Sequence, residues 1–471
     1  MINHLISAIK IEARIYSEDE WDRKLCELGV MLGWNATDEP AFLKLNLIGK
    51  KVLIKPNWVL HYNAGKDSLE PIITNPELIK AIVRCIARQK PATIKVGDAP
   101  LQSCDFPKVT EYGGISSWMK SAAEQWPMLL GPIDFRRTIA SRSVVALVQD
   151  ENVRPEDQYR IVDLAEMSAL EPVADLSERF RVTQYDPRYM KERHAKGKHQ
   201  YMIAGEVMEA DVIINVPKLK THKKAGLTCA LKNLVGINGN KEFLPHHRKG
   251  SPRVGGDCYP RKNAFKECTE WLLDLQNATT SRTLKNIIRL PLMATNTLAK
   301  YQGSFIGTEG AWSGNDTVWR MVADLNRIAI YCGKDGEIKS SPQRRLIHIV
   351  DAITAGQGDG PLASDRFDLG ILLGGNDAAC VDWIASKVLG YDPRKIFAVS
   401  KIFELNTLRI TTINPREIEC VWSNGEHVEL SALPKPTLYP EGWIDCLEKR
   451  EDREKVYGIT RGSWFKKRAL T

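Results

Sequence analysis

Apolar runs of strand length alternate with polar or glycine-rich loops and with helix-period apolar stripes along most of the chain. The run Lys51–Pro56 (KVLIKP) leads into a polar loop from Asn57 to Pro71. Thr74, Asn75, Pro76 and Glu77 then supply a helix start: a polar cap, a proline in the first turn and an early acid. Leu78, Ile79, Ile82, Val83 and Ile86 follow at helical spacing, so a helix is predicted to about Arg88. A second strand is predicted at 92–96, before Gly97, Asp98, Ala99 and Pro100, which completes one βαβ unit.

The same alternation returns further along. Val212–Val216 reads as a buried strand, residues 345–350 as another ending in Asp351, and 369–373 as a third leading to Asn376 and Asp377. Helices are predicted at 264–275, Arg282–Tyr301 (kinked at Pro291), 318–330, 378–388 and 396–405. Weaker strand patterns lie at 144–148, 159–162, 409–413 and Glu419–Trp422. The polar stretch 186–199 is expected to be an exposed loop or an edge insertion.

This pattern predicts an α/β fold: mixed or mostly parallel sheets covered by helices, in two lobes with a cleft between them. The expected divisions are an N-terminal arm (1–45), an α/β lobe (46–262), a helical insertion (263–330), a second α/β part (331–424) and a C-terminal extension (425–471). Functional loops are expected at the carboxyl ends of the strands.

Composition narrows the function classes. The net charge of +8, from 66 basic and 58 acidic residues, is modest for 471 residues, and no basic tail or aromatic RNA-binding pattern accompanies it. No nucleic-acid partner is expected. The 10 cysteines are scattered without a C-x-x-C pair, against zinc fingers and cysteine-run iron–sulfur sites. Buried thiols in a reducing compartment, no signal-peptide core and no membrane-spanning run together point to the cytoplasm.

Candidate chemistry concentrates between Asp211 and Lys249, where Lys218, Lys220, Thr221, His222, Lys232, Asn233, His246 and His247 lie close together. A solvated basic face is the plain explanation for such a charge run. Ala225, Gly226 and Thr228 weigh against it, because small residues let a ligand approach the backbone. Lys232 also lies in a mostly apolar run, 227–235. A lysine taken out of water must pair, or lose its proton and become a base or nucleophile. His246 and His247 sit among turn residues, either solvent-exposed or joining His222 around a metal; zinc, nickel and iron suit them equally. Gly356, Gly358, Asp359 and Gly360 form either a structural turn or an anion cradle, matching neither a Walker loop nor a dinucleotide fingerprint. Asp98, Asp351 and Asp377 each follow an apolar run, as caps or as carboxylates facing a cleft.

Several segments together resemble the DUF362 family, a domain of unknown function: VLIKPN (52–57), TNPELI (74–79), VGDAP (96–100), ADVIINVPKLKTH with TCALKNLVGI (210–237), GNDTVWRMVADLNR (314–327), IVDAITAGQGDGP (349–361) and NDAACVDWIASKVLGYDP (376–393). Some members carry a ferredoxin-like module with clustered cysteines; this chain has no such cluster, so no iron–sulfur cluster is expected. THKKAGLTCALKNLVG is also distantly similar to the core of nickel-dependent lactate racemase, with His222, Gly226 and Lys232 at matching spacing. That resemblance implies a catalytic acid/base at His222, a cofactor-bearing lysine at Lys232 and a metal-ligand histidine at His246 or His247. Ala230 and Leu231 replace that enzyme's glycine pair, and Lys55-Pro56-Asn57 replaces its early Asp-Asp-x-Thr-Arg motif. A shared fold and site location are expected; a shared nickel cofactor is not.

The leading expectation is a cytoplasmic enzyme acting on an anionic small molecule or cofactor, by redox or epimerisation chemistry, in the interlobe cleft. His222 and Lys232 are its catalytic candidates. Lys55, Asn57, Lys218, Lys220, Thr221, Asn233, Asp351 and Asp359 are its anion-binding candidates, and His246 and His247 its metal candidates. The cofactor is open between a divalent metal and a nucleotide-derived group. A metal- or cofactor-delivery protein without turnover is the alternative. A scaffold docking an acidic partner is a third reading, and it requires an exposed Lys232 with no pocket beside His222.

Overall fold

The structure, a computed structural model, describes residues 5–12, 17–64, 66, 68–142, 147–302 and 306–456. Its centre is a ten-stranded sheet. In chain order the strands are β1 (Leu5–Lys10), β2 (Lys51–Pro56), β3 (Thr93–Asp98), β4 (Leu129–Asp134) and β5 (Val212–Val216). They continue with β6 (Lys218–His222), β7 (Gly226–Thr228), β8 (Arg345–Asp359), β9 (Ala363–Gly375) and β10 (Glu419–Trp422). The main path runs β10-β1-β9-β8-β5-β2-β3-β4, with β6 pairing β7 and β8 beside it. From β8 to β4 the neighbours are parallel. The β8–β9 hairpin and the β1–β9 pair are antiparallel. The fold is therefore α/β on a mixed sheet, and the two α/β halves anticipated from the chain share that sheet through the parallel β5–β8 pair.

The βαβ unit forms as its residues dictate. Asn75 caps the helix Pro76–Ala87 by accepting from the backbone N–H groups of Glu77 and Leu78, an arrangement worth about 1 kcal/mol. Leu78, Ile79, Ile82, Val83 and Ile86 are all buried against the sheet, and β2 and β3 run parallel on either side. The strand Tyr159–Asp163 and the helices Ala264–Ala278, Val318–Tyr331 and Ala378–Val388 also occur where the periodicity places them. Arg282–Tyr301 is one helical run with Pro291 inside it. The strand anticipated at 144–148 falls partly outside the described residues; Leu147–Asn152 pairs with Thr138–Arg142.

Other expectations need correction. The N-terminal segment is not peripheral: β1 lies between β9 and β10, with Ile6, Ala8 and Ile9 fully buried. Trp21 and Trp34 behind it are buried too. The stretch 186–199 contains the helix Pro187–Arg193, and it buries His194 and His199 completely. Residues 409–413 form no strand; the helix anticipated at 396–405 occurs as a short α-helix, Phe397–Ser400, that tightens into a 3-10 helix at Lys401–Glu404.

The largest correction concerns the glycine-rich segment after Asp351. It is no loop: β8 continues through it to Asp359 and pairs with β9 along its length. Gly356 pairs with Lys220 of β6, and a side chain there would sit 2.6 Å from the Pro71 carbonyl and 2.7 Å from Lys220 Cβ. Glycine at this position serves close strand packing, not an anion cradle. Among the described residues no helix is long and apolar enough to cross a membrane.

Candidate functional site

A cavity of about 370 Å³ opens where the parallel strands end. Its walls come from the loop after β2 (Asn57 to Leu60), the loop after β3 (Asp98 to Ser103), β6 and β7 (Lys220, His222, Thr228), and the turn of helix that follows (Lys232, Asn233). Lys224, Lys241, His246 and Glu309 close it. Carboxyl ends of parallel strands converge there, as expected for an open α/β sheet. The residues have separate reasons to be there. The apolar β5 is buried along its whole length, and Pro217 ends it; β6 then runs on parallel to β8, with a register shift between Lys218 and Lys220. His222 then turns back through Gly226, whose positive φ of 85° a side chain would strain. Gly226 makes room for Trp443 rather than for a ligand, since an added Cβ would meet that ring at 2.9 Å.

Lys232 is the unusual group. It is half-buried, lines the cavity, and its ammonium has no hydrogen bond or carboxylate partner among the described residues. Burial, aided by the charges of Lys241 and Lys224, pulls its pKa down to about 7. An amine in that state is partly uncharged at neutral pH and can act as base or nucleophile. Its half-burial beside His222 runs against the condition set for a docking scaffold.

The two histidines of the wall are held in opposite senses. His222 Nδ1 accepts from the backbone N–H groups of Lys224 (3.0 Å) and Ala225 (3.2 Å), so its ring proton sits on Nε2. His246 Nδ1 lies 2.7 Å from the Leu244 carbonyl and must donate to it, so its Nε2 is the acceptor. Burial and the neighbouring lysines hold both rings well below the usual histidine range, hence neutral. The cavity wall thus offers one imidazole that donates a hydrogen bond through Nε2–H and one whose Nε2 accepts.

Further lysines surround them. Lys220 donates to Asn57 Oδ1 (2.7 Å) and the Ile72 carbonyl (2.5 Å), with burial and Lys218 lowering its pKa well below normal. Lys241 donates to the Ala99 carbonyl at 3.2 Å, and burial lowers it to about 8. Neither has a carboxylate partner among the described residues. The acids nearby are already engaged: Asp98 pairs with Lys55 at 2.6 Å, and Glu309 with Lys223 at 2.5 Å and Lys224 at 3.6 Å. Thr228 Oγ1 and both amide atoms of Gln102 are buried in the wall without partners. A cavity lined in this way favours an anion that can accept several hydrogen bonds.

The sequence candidates divide accordingly. His222, Lys232, Asn57, Lys220, Asn233 and His246 meet at the cavity. Lys55 is fully buried behind it, where it joins Asp98, the Pro56 carbonyl and Asn233 Oδ1. Lys218 and Asp351 form a buried pair at 2.5 Å, and Thr221 bonds the Gly358 carbonyl at 2.7 Å; these three pin β6 to β8 and do not line the cavity. Asp359 is exposed at the hairpin end, away from the cavity lining. His247 points away from His246, as neighbours in extended backbone do. Asp377 is a helix cap, accepting from Ala379 and Cys380. Sequence reasoning passed over Lys241, Lys224 and Gln102. The first two belong to the same lysine row, and Gln102 follows the polar end of β3.

The comparisons with known proteins bear on this cavity. The profile of DUF362, "Domain of unknown function (DUF362)", matches residues 52–132 and 146–387, more than half of the chain. The chain belongs to the DUF362 family. Every residue that lines the cavity lies within the DUF362 matches. Nothing among curated proteins matches the chain significantly. A crystal structure of a Thermotoga maritima protein, from a structural genomics programme, is similar at 10% identity over 76% of this chain, with a TM-score of 0.27. The chain spans 56% of that protein's length, and so low a score supports no comparison of sites. Kinship with lactate racemase does not emerge from these matches.

Proposed function

We propose that this DUF362 protein is an enzyme acting on an anionic small molecule held in the cavity at the strand ends, which serves as the cleft. The observation that carries the proposal is the unpartnered amine of Lys232, with its pKa near 7, among lysines that lack carboxylate partners among the described residues. Lys241 would hold the anionic group, having protons to spare beyond its one bond, and a bound anion would favour proton uptake by Lys220, which then has a third N–H to donate. Lys232 would serve as base, or would add to a carbonyl carbon and form an imine with loss of water. His246 Nε2 would receive a proton, and the neutral His222 would donate an Nε2–H hydrogen bond to the oxygen that gains negative charge. An acceptor imidazole and the amine of Lys232, which takes up and releases a proton near pH 7, suit proton removal and return next to a carbonyl, the chemistry of epimerisation. Similar groups in lactate racemase motivated that reading, and none of the steps here requires its nickel cofactor.

The test is incubation of the purified protein with a mixture of carboxylate and phosphate metabolites, including 2-oxo and 2-hydroxy acids, followed by chiral mass-spectrometric analysis. Wild type is expected to convert at least one anionic member. Lys232→Met is expected to lower that rate by about 10²–10⁴-fold. Equal turnover by Lys232→Met would refute the assignment. Stoichiometric retention of an anion without conversion would favour a binding or delivery protein using the same cavity.

A further inference from the structure

A second cluster lies behind the cavity wall. His247, Cys258 and Glu270 are buried and bring one ligand atom each to within 4.8 Å of the others. Three different elements supply them: the short strand His247–Arg248, the turn after Gly255, and the helix Ala264–Ala278. His247 is 3% exposed, and its Nδ1 is buried with no hydrogen-bond partner. Gly310 backs its ring, since a side chain there would fall 2.8 Å from His247 Cβ. Glu270 accepts from the Gly250 N–H and from the Tyr259 hydroxyl, both at 2.9 Å, and so is already oriented. Hydrogen bonding between the Cys258 thiol and Glu270 would account for those two side chains but leaves His247 unexplained.

We propose that His247, Cys258 and Glu270 bind a zinc-type divalent cation. Imidazole nitrogen, thiolate sulfur and carboxylate oxygen together suit Zn²⁺, whereas magnesium and calcium prefer oxygen alone. Binding releases the Cys258 proton to solvent, and the thiolate, carboxylate and neutral imidazole leave one tetrahedral position for water. The Gly250 and Tyr259 hydrogen bonds act as outer supports that fix the carboxylate. The ion ties helix Ala264–Ala278 to the segment that carries His246, and so stiffens the cavity wall without belonging to it.

The full chain, stripped with chelator and then loaded with Co²⁺ or Zn²⁺, tests this directly. Wild type is expected to retain about one equivalent of metal after dialysis and, with Co²⁺, to show a sulfur-to-metal charge-transfer band. Cys258→Ala is expected to lose the band. X-ray absorption of the zinc-loaded wild type needs no variant, and its first shell should hold one sulfur with nitrogen and oxygen ligands. A shell without sulfur, or a cobalt spectrum unchanged in a folded Cys258→Ala protein, would overturn the assignment.

Discussion

Lys232 has an amine that the surrounding protein leaves uncharged at little provocation, and this has a consequence for stability. An unfolded chain keeps a lysine protonated to about pH 10.4, whereas the folded protein releases this proton near 7. Below about pH 7 both states carry the proton, so the full cost of burying the charge falls on the folded state. Between the two values the unfolded state alone binds it, so this residue's burden shrinks as pH rises. Lys232→Met should therefore stabilise the protein at neutral pH by about 1–3 kcal/mol in urea titrations, with the gain narrowing toward pH 10. A destabilised Lys232→Met would mean that the amine is paired. His222→Gln should leave stability within about 1 kcal/mol while lowering turnover, because the amide keeps an acceptor for the two N–H groups. Lys232 was legible in the sequence because a charge in an apolar run is conspicuous. Gln102 and Lys241 were not, since only the approach of two distant loops gives them meaning.

At the scale of elements, β6 continues the sheet beyond Pro217, parallel to β8 with a register shift between Lys218 and Lys220. The buried Lys218–Asp351 pair and the Thr221–Gly358 bond hold it against β8. Asp351→Ala leaves the Lys218 charge uncompensated and should destabilise by about 3–5 kcal/mol. Lys218→Met combined with Asp351→Leu should recover most of that loss, which a double-mutant cycle in denaturant would measure. Additive losses would show that the pair is not coupled. The sequence suggested anion-binding roles for these residues because lysines and an aspartate at strand ends look alike whether they face a ligand or each other. It also stopped β8 at Asp351, since glycines disfavour strands. Cross-strand pairing with β9 and the close packing of β6 outweigh that preference.

At the scale of the molecule, the parallel half of the sheet was readable from local pattern alone, because each βαβ step signals itself through a cap, a stripe and a following strand. The antiparallel half was not, because β1 meets partners more than 350 residues away. Deleting residues 1–11 should uncover both β9 and β10 and remove the buried Ile6, Ala8 and Ile9, so cooperative thermal unfolding should be lost or fall markedly. An unchanged transition would show that the strand is dispensable. The same folded assembly is what lowers the Lys232 pKa, and that is the claim on which the functional proposal rests. The direct measurement is the pH dependence of acetylation at Lys232, mapped by mass spectrometry, in native protein and in urea. The account predicts a native midpoint near pH 7 that moves to about 10.4 on unfolding; a native midpoint at or above about 10 would contradict it.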